Sequence, residues 1–207
     1  VSYSPFDYWK ERGKIYKKNF HYDKYKILQE EFLLDHLDFL NNFHYVLELG
    51  CGFGRITKLL LTRYSEIQGY LAVDLSPHQI ENAKTYLDSI SFLHKGLEFQ
   101  VSNIQSFKSE KKYDLVILSE VLMHILPSEI DSVIGKLVSL SNKHIINIDW
   151  FEEAPPQKIA PHNFIHPYEL LYKKYSEVSS VQRISIRRKK IFGSIDTRQS
   201  IFHVRLD

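Results

Sequence analysis

The nine residues Val46 to Gly54, VLELGCGFG, constrain the fold more than any other stretch of this chain. An apolar run of strand length ends in three alternating glycines. From about Arg55 a helical pattern takes over, with Ile56, Leu59, Leu60 and Arg63 at the right intervals. A strand, a tight turn and an amphipathic helix in that order form the opening unit of a layered α/β domain. Glycine also admits a ligand to the main chain where a Cβ would collide, so the same turn is a candidate ligand loop.

The rest of the chain repeats that unit. Residues 4 to 41 read as one helical cap: apolar groups such as Ile27, Leu28, Phe32 and Leu34 recur at spacings of three and four, and eleven of the 26 Tyr and Phe residues fall in the first 45 positions. Then come strand candidates in HYVLEL, IQGYLAVDLS, GLEFQVSN, KYDLVILSE and KHIINIDW. Between them lie a helix from Pro77 to about Ser91, opened by Ser76 as N-cap with Gln79 at the capping-box position, and a helix opening at Pro127. Five strands alternating with helices imply a parallel sheet covered on both faces. The segment Val178 to Val204 departs from the alternation: two strands around Gly193-Ser194 form an antiparallel hairpin. Phe151 to Pro167, with four prolines and two histidines, reads as a long functional loop. The expected layout is a single domain over 1–207, with a cap at 1–42, a cofactor-binding core at 43–150, and at 151–207 a substrate loop, a helix and the hairpin.

The glycine spacing selects among ligands. A phosphate loop ends in Gly-Lys-Ser/Thr, but Gly54 is followed by Arg55-Ile56-Thr57. The dinucleotide fingerprint G-x-G-x-x-G needs its third glycine at position 55, and here it stands at 54. A plain corner needs one glycine rather than three. Glu48, at the strand end, suits a cationic ligand and repels a pyrophosphate. Asp74, 20 residues beyond Gly54, stands where a carboxylate accepts from both hydroxyls of a ribose. Together they describe a nucleoside that carries an amine or sulfonium and no phosphate.

VLELGCGFGRIT, LAVDLSPHQIENAK and YDLVILSEVLMHI, in this order and at these intervals, resemble the cofactor loop, the second strand with its helix and the fourth strand of the class I S-adenosylmethionine-dependent methyltransferases. The resemblance covers Tyr45 to Trp150 closely. It implies a three-layer Rossmann-like, seven-stranded sheet of five parallel strands plus the C-terminal antiparallel hairpin, with S-adenosylmethionine as cofactor and S-adenosylhomocysteine as its product. Carried over, Glu48, Gly50, Cys51, Gly52 and Gly54 line the methionine end of the cofactor, and Asp74 holds the ribose. Leu75, Asn103 and Ile104 meet the adenine, with Asn103 standing where the family often has an acid. Ser119 lies near the reactive methyl, while Trp9 and Arg12 close over the cofactor and meet its carboxylate.

Methyl transfer asks a protein to align the acceptor and, where needed, to remove a proton. His124 either supports the loops around the pocket or acts as base, and His162 is the second candidate base. His166 and Tyr168, in PHNFIHPYE, are candidate substrate contacts or turn caps. A metal site through Glu120, His124 and their neighbours would place Met123, a poor ligand for a hard cation, at the third position, so no metal is expected. Cys51 lacks a general-base partner and reads as a small filler.

Composition narrows the partners. With 27 Lys and Arg against 25 Asp and Glu, the net charge of +2 does not describe a polyanion binder. The dense basic run, RISIRRKK at 183–190, splits its charges over both faces of a strand, which reads as a charged edge. The single cysteine fits a reducing, cytoplasmic setting, and no run approaches the ~18 apolar residues of a membrane span. The expected activity is methyl transfer to a small-molecule acceptor. The alternatives are an RNA methyltransferase, or a non-catalytic protein that keeps the fold and cofactor pocket.

Overall fold

A seven-stranded sheet organises the molecule. The computed structural model describes every residue except 1–3, 21–23, 39, 41–42, 92–95, 152–157, 161, 190–194 and 197–198, and gives the main chain alone for 24, 91, 158–160, 188–189 and 195–196. The five parallel strands are β1 (Tyr45–Leu49), β2 (Gly69–Asp74), β3 (Leu97–Val101), β4 (Tyr113–Ser119) and β5 (Ser141–Trp150). The expected hairpin forms from β8 (Val178–Ser185) and β11 (Gln199–Leu206), antiparallel to each other, with β11 also antiparallel to β5. The order across the sheet is β3-β2-β1-β4-β5-β11-β8. The direction of winding reverses between β1 and β4, so a crevice opens at the C-terminal ends of these strands.

The apolar strands are continuous runs because both sheet faces are covered. Leu47, Val116 and Leu118 pack on one side with Val133, Ile134 and Leu137 of α5 (Ile130–Leu140). Val46, Leu115 and Ile117 pack on the other with Leu33 of α2 (Lys24–Leu37) and Leu60 of α3 (Arg55–Arg63). Strand alternation therefore turns Glu48 toward α3 and away from α5.

The cap is two helices rather than one. α1 (Pro5–Asn19) starts where Ser4 Oγ accepts from Asp7 N–H at 3.3 Å with Pro5 in the first position. It stops because Phe20 turns extended, which lets its ring pack edge-on against Phe53 at 4.9 Å. α4 (Pro77–Ser91) begins as expected, but the Ser76 hydroxyl does not cap it: it is buried with no partner among the described residues, while the Ser76 carbonyl accepts from Gln79 and Ile80 N–H. The helix expected from Pro127 begins at Ile130.

The 151–167 segment carries its own short ladder, β6 (Lys158–Ala160) with β7 (Asn163–Phe164), followed by α6 (Tyr168–Tyr172). Beyond β8 a second ladder pairs β9 (Arg188–Lys189) with β10 (Ile195–Asp196). The Gly193-Ser194 turn lies outside the described residues. β8 is an outer strand of the sheet, and within the basic run Arg183 stacks on Phe151, 4.0 Å from the ring centre. Among the described residues no helix is long and apolar enough to cross a membrane.

Candidate active site

The crevice is a cavity formed by the ends of β1, β2 and β4, the loop after β3, and the inner face of α1. Gly50 and Cys51 N–H both donate to Val73 O, at 2.7 and 2.9 Å, which ties the glycine turn to the end of β2. All three loop glycines have positive φ, at 77°, 56° and 89°. Their surroundings differ. A Cβ at Gly50 would run into Val121, and one at Gly54 would stand 2.8 Å from Leu87 Cδ1, so these two permit close packing. A Cβ at Gly52 would meet only Gln79 Nε2, at 3.7 Å, so there the main chain lies open to the cavity.

Asp74 is locked beside that opening. Gly52 N–H donates to its Oδ2 and Ser76 N–H to its Oδ1, each at 2.9 Å. Each oxygen keeps a lone pair, so the carboxylate is rigid and still able to accept from two ligand hydroxyls. Burial pushes its pKa up to about 6, against the pull of the backbone N–H groups of Ser76, Gly52 and Leu75.

Glu48 lies deeper, 3% exposed. Its Oε2 accepts from the hydroxyls of Thr57 and Tyr70, both at 2.6 Å. Burial raises its pKa to about 7 even though both hydroxyls and Arg55 favour the carboxylate. Leu75, Ile104 and Asn103 line the cavity beyond Asp74. The Asn103 amide oxygen already accepts from Ser106 N–H at 2.6 Å, so it closes a turn as well as facing a ligand.

At the end of β4, Ser119, Glu120 and His124 line the cavity. His124 sits in a 3₁₀ turn (Leu122–His124) held by Asp149, whose two oxygens accept from Leu122 and Met123 N–H at 3.1 and 3.3 Å. His124 Nδ1 bonds the His162 carbonyl at 2.8 Å. A carbonyl only accepts, so Nδ1 carries the proton and Nε2 is the basic nitrogen. Burial pushes the His124 pKa down to about 4, so the ring is neutral at neutral pH. His162 is not in the cavity wall. It stacks on Tyr8 at 4.7 Å and so braces α1 against the turn.

His166 and Tyr168 do not reach the cavity. Pro167 leads into α6, which turns Tyr168 into the core against Phe202, and His166 Nε2 donates to Ile125 O at 3.1 Å behind the turn. Arg12 is exposed on α1 outside the cavity wall, and Gly54 sits behind it. The motifs also pass over residues that do line it. Trp9, Gly13, Tyr16 and Phe20 form one stripe along and just beyond α1, readable from their spacing of three and four, and of these only Trp9 is singled out by resemblance. Gln79 and Arg55 carry no motif signal for ligand contact, and Glu120 enters the sequence reading only as a metal ligand that is set aside. Arg55 pairs with Glu30 at 2.6 Å, Lys26 pairs with Glu120, and Gln199 Nε2 donates to Glu120 Oε1 at 2.8 Å.

The site residues fit an S-adenosyl nucleoside. A two-hydroxyl acceptor lies beside the open main chain of Gly52, and the buried Trp9 Nε1–H in the cavity wall has no partner among the described residues. Residues 47–143 match the model of a family described as a methyltransferase domain. A malonyl-[acyl-carrier protein] O-methyltransferase of Acetivibrio thermocellus is 31% identical over 135 residues, 63% of this chain and 45% of that protein. The chain thus spans less than half the length of that relative. The N-methyltransferase NodS from Bradyrhizobium japonicum WM9, in complex with S-adenosyl-l-homocysteine, superposes with a TM-score of 0.73 at 13% identity, covering 98% of this chain and 99% of that one. Magnesium protoporphyrin IX methyltransferase from Synechocystis PCC 6803 with bound SAM superposes at 0.70 and 15% identity, covering 100% and 99%. At these identities the two structures speak to the fold.

Proposed function

We propose that the chain, whose residues 47–143 match a methyltransferase domain, is a class I S-adenosylmethionine-dependent methyltransferase and transfers a methyl group from S-adenosylmethionine to a small-molecule acceptor. The observation that carries this reading is Asp74: a carboxylate held on both oxygens by main-chain N–H groups, beside the open main chain of Gly52. In this reading Asp74 orients the ribose, Gly50, Cys51 and Gly52 run along the amino-acid portion, and Glu48 supplies negative charge beneath it. Leu75, Ile104 and Asn103 flank the base. Trp9 covers the site from α1 and excludes water, and its indole N–H is offered to an acceptor on the ligand.

When bound, the cofactor supplies a methyl group already activated by a sulfonium. What remains for the chain is alignment. Ser119 and His124 flank the acceptor side. With a pKa near 4, His124 is a weak base, suited to holding an acceptor proton through Nε2 rather than storing it. His162 positions His124 through its carbonyl, and His166 and Tyr168 support the turn from behind. Residues 1–42 serve as the cap and 43–150 as the cofactor-binding core. The single cysteine, Cys51, is consistent with work in a reducing, cytoplasmic setting.

Calorimetry tests the reading. S-adenosylhomocysteine is expected to bind the wild-type protein, and Asp74→Ala to weaken it on the order of a hundredfold, since two hydrogen bonds to a charged group are lost. Unchanged affinity in Asp74→Ala would refute the assignment of the pocket.

A further inference from the structure

Glu120 is the one non-glycine residue with positive φ among the described residues, at 58°. A glutamate gains nothing locally in this left-handed conformation, and strain of this kind collects at functional sites. The main chain is pinned there because Glu120 N–H donates to Ile148 O at 2.7 Å, so β4 stays paired to its last residue while the side chain swings into the cavity wall beside Ser119. The carboxylate is ionised: burial works against this, but Lys26, Arg55 and the Gln199 amide together outweigh it. Tyr16, reaching in from α1, lies close enough to feel its charge.

The surroundings show which group this carboxylate suits. An ammonium already rests against it, that of Lys26, which also lies 5.9 Å from the centre of the Phe20 ring and 5.6 Å from that of Tyr25. A carboxylate whose bound ammonium also meets two aromatic rings marks a site for a cationic or N–H-bearing group. It is a poor site for an anion. Lys26 and Arg55 are engaged by Glu120 and Glu30, and the ionised Glu120 would repel a second carboxylate.

We propose that Glu120 is the acceptor-binding residue and that the acceptor is an amine, held through its N–H by the Glu120 carboxylate next to Ser119. This rests on the methyl-transfer reading above. The amine binds Glu120 as its ammonium and gives up one proton to water before it reacts. Its lone pair forms the new N–C bond, the methyl–sulfur bond breaks with its electrons remaining on sulfur, and the surplus proton on nitrogen departs to water past Glu120.

The test is calorimetric titration of the protein with phenethylamine and with hydrocinnamate, probes of one shape and opposite charge, with and without S-adenosylhomocysteine. Wild type is expected to bind the amine about tenfold or more tightly than the acid, and Glu120→Gln to erase that preference. Lys26→Met removes the competing ammonium and is expected to tighten the amine several-fold. If Glu120 served only to pair Lys26, Lys26→Met would instead leave amine binding unchanged or weaker. Equal binding of the two probes, preference for the acid, no binding of either, or an amine affinity indifferent to Glu120→Gln would each overturn the proposal. Failure of wild type to bind S-adenosylhomocysteine would count against the methyl-donor reading instead, and the amine titration without it would still decide the role of Glu120.

Discussion

Gly13→Ala probes the docking of the cap directly. Gly13 is the buried point of α1, and a Cβ there would stand 2.7 Å from Ser76 Cβ and closer still to its hydroxyl. Carbon pairs at rest are ~3.5–4.0 Å apart, so α1 must retreat by about 1 Å. Ser76 cannot turn aside, because its own Cβ is part of the clash. Because rotation of neither side chain relieves the contact, the cost lies in the upper part of the ~1–3 kcal/mol range for overpacking, about 2–3 kcal/mol, and the better helix propensity of alanine returns about 1 kcal/mol. The net loss of about 1–2 kcal/mol falls on the docking of α1, which carries Trp9 and Tyr16 of the cavity wall. S-adenosylhomocysteine affinity, measured by calorimetry, should therefore fall roughly 5- to 30-fold. Adding Ser76→Gly should restore most of it, since the Ser76 hydroxyl has no partner to lose among the described residues. A Gly13→Ala protein that binds as tightly as wild type and melts higher would show that propensity dominates, and would refute the close approach of α1 to α4.

Three further outcomes follow from buried titrating groups. Hydroxyl donors favour ionised Asp74, so S-adenosylhomocysteine affinity should be full above pH 6 and weaken roughly tenfold by pH 5, a dependence that Asp74→Asn abolishes. Tyr70→Phe removes one of two hydroxyls from Glu48 and should cost about 1–2 kcal/mol in urea denaturation. Because the lost bond favours the carboxylate, the cost should be larger at pH 8.5 than at pH 6, and a pH-independent loss would contradict the bond. His36, His144 and His203 meet between α2, β5 and β11, with 3.1 Å between His144 Nδ1 and His203 Nε2. Burial lowers all three pKa values, that of His203 to about 3. Below the ordinary histidine pKa the unfolded chain then binds more protons than the folded one, so stability should fall as pH drops from 7 to 5. His203→Phe should flatten that fall by about 1–2 kcal/mol in denaturation curves at the two pH values.

The alternating strands and helices, the glycine turn and the pair Glu48 and Asp74 were legible in the chain itself, because each depends on local periodicity or on positions within one strand and the turn after it. Backbone geometry alone sets such features: a strand of five residues that ends in glycine turns at that point in many contexts, and an acid at the end of a parallel strand lies at the ligand-bearing edge of the sheet. The break of the cap at Phe20 was not legible, because helix periodicity runs through it and the Phe53 ring that the extended Phe20 meets lies 33 positions away. His166 and Tyr168 show the same limit in reverse. Their neighbourhood of prolines and histidines resembles a substrate loop, yet α6 packs against β11 and carries them into the core. Glu120 shows it most clearly. Its left-handed backbone, its pairing with Lys26 and its bond from Gln199 join segments 94 and 79 positions apart, and they exist only once the sheet has closed. Local spacing determined the fold class and set Glu48 and Asp74 at the strand ends that border the crevice. Tertiary packing decided the surroundings of Glu120, because charge and burial at one point come from residues that the sequence keeps far apart.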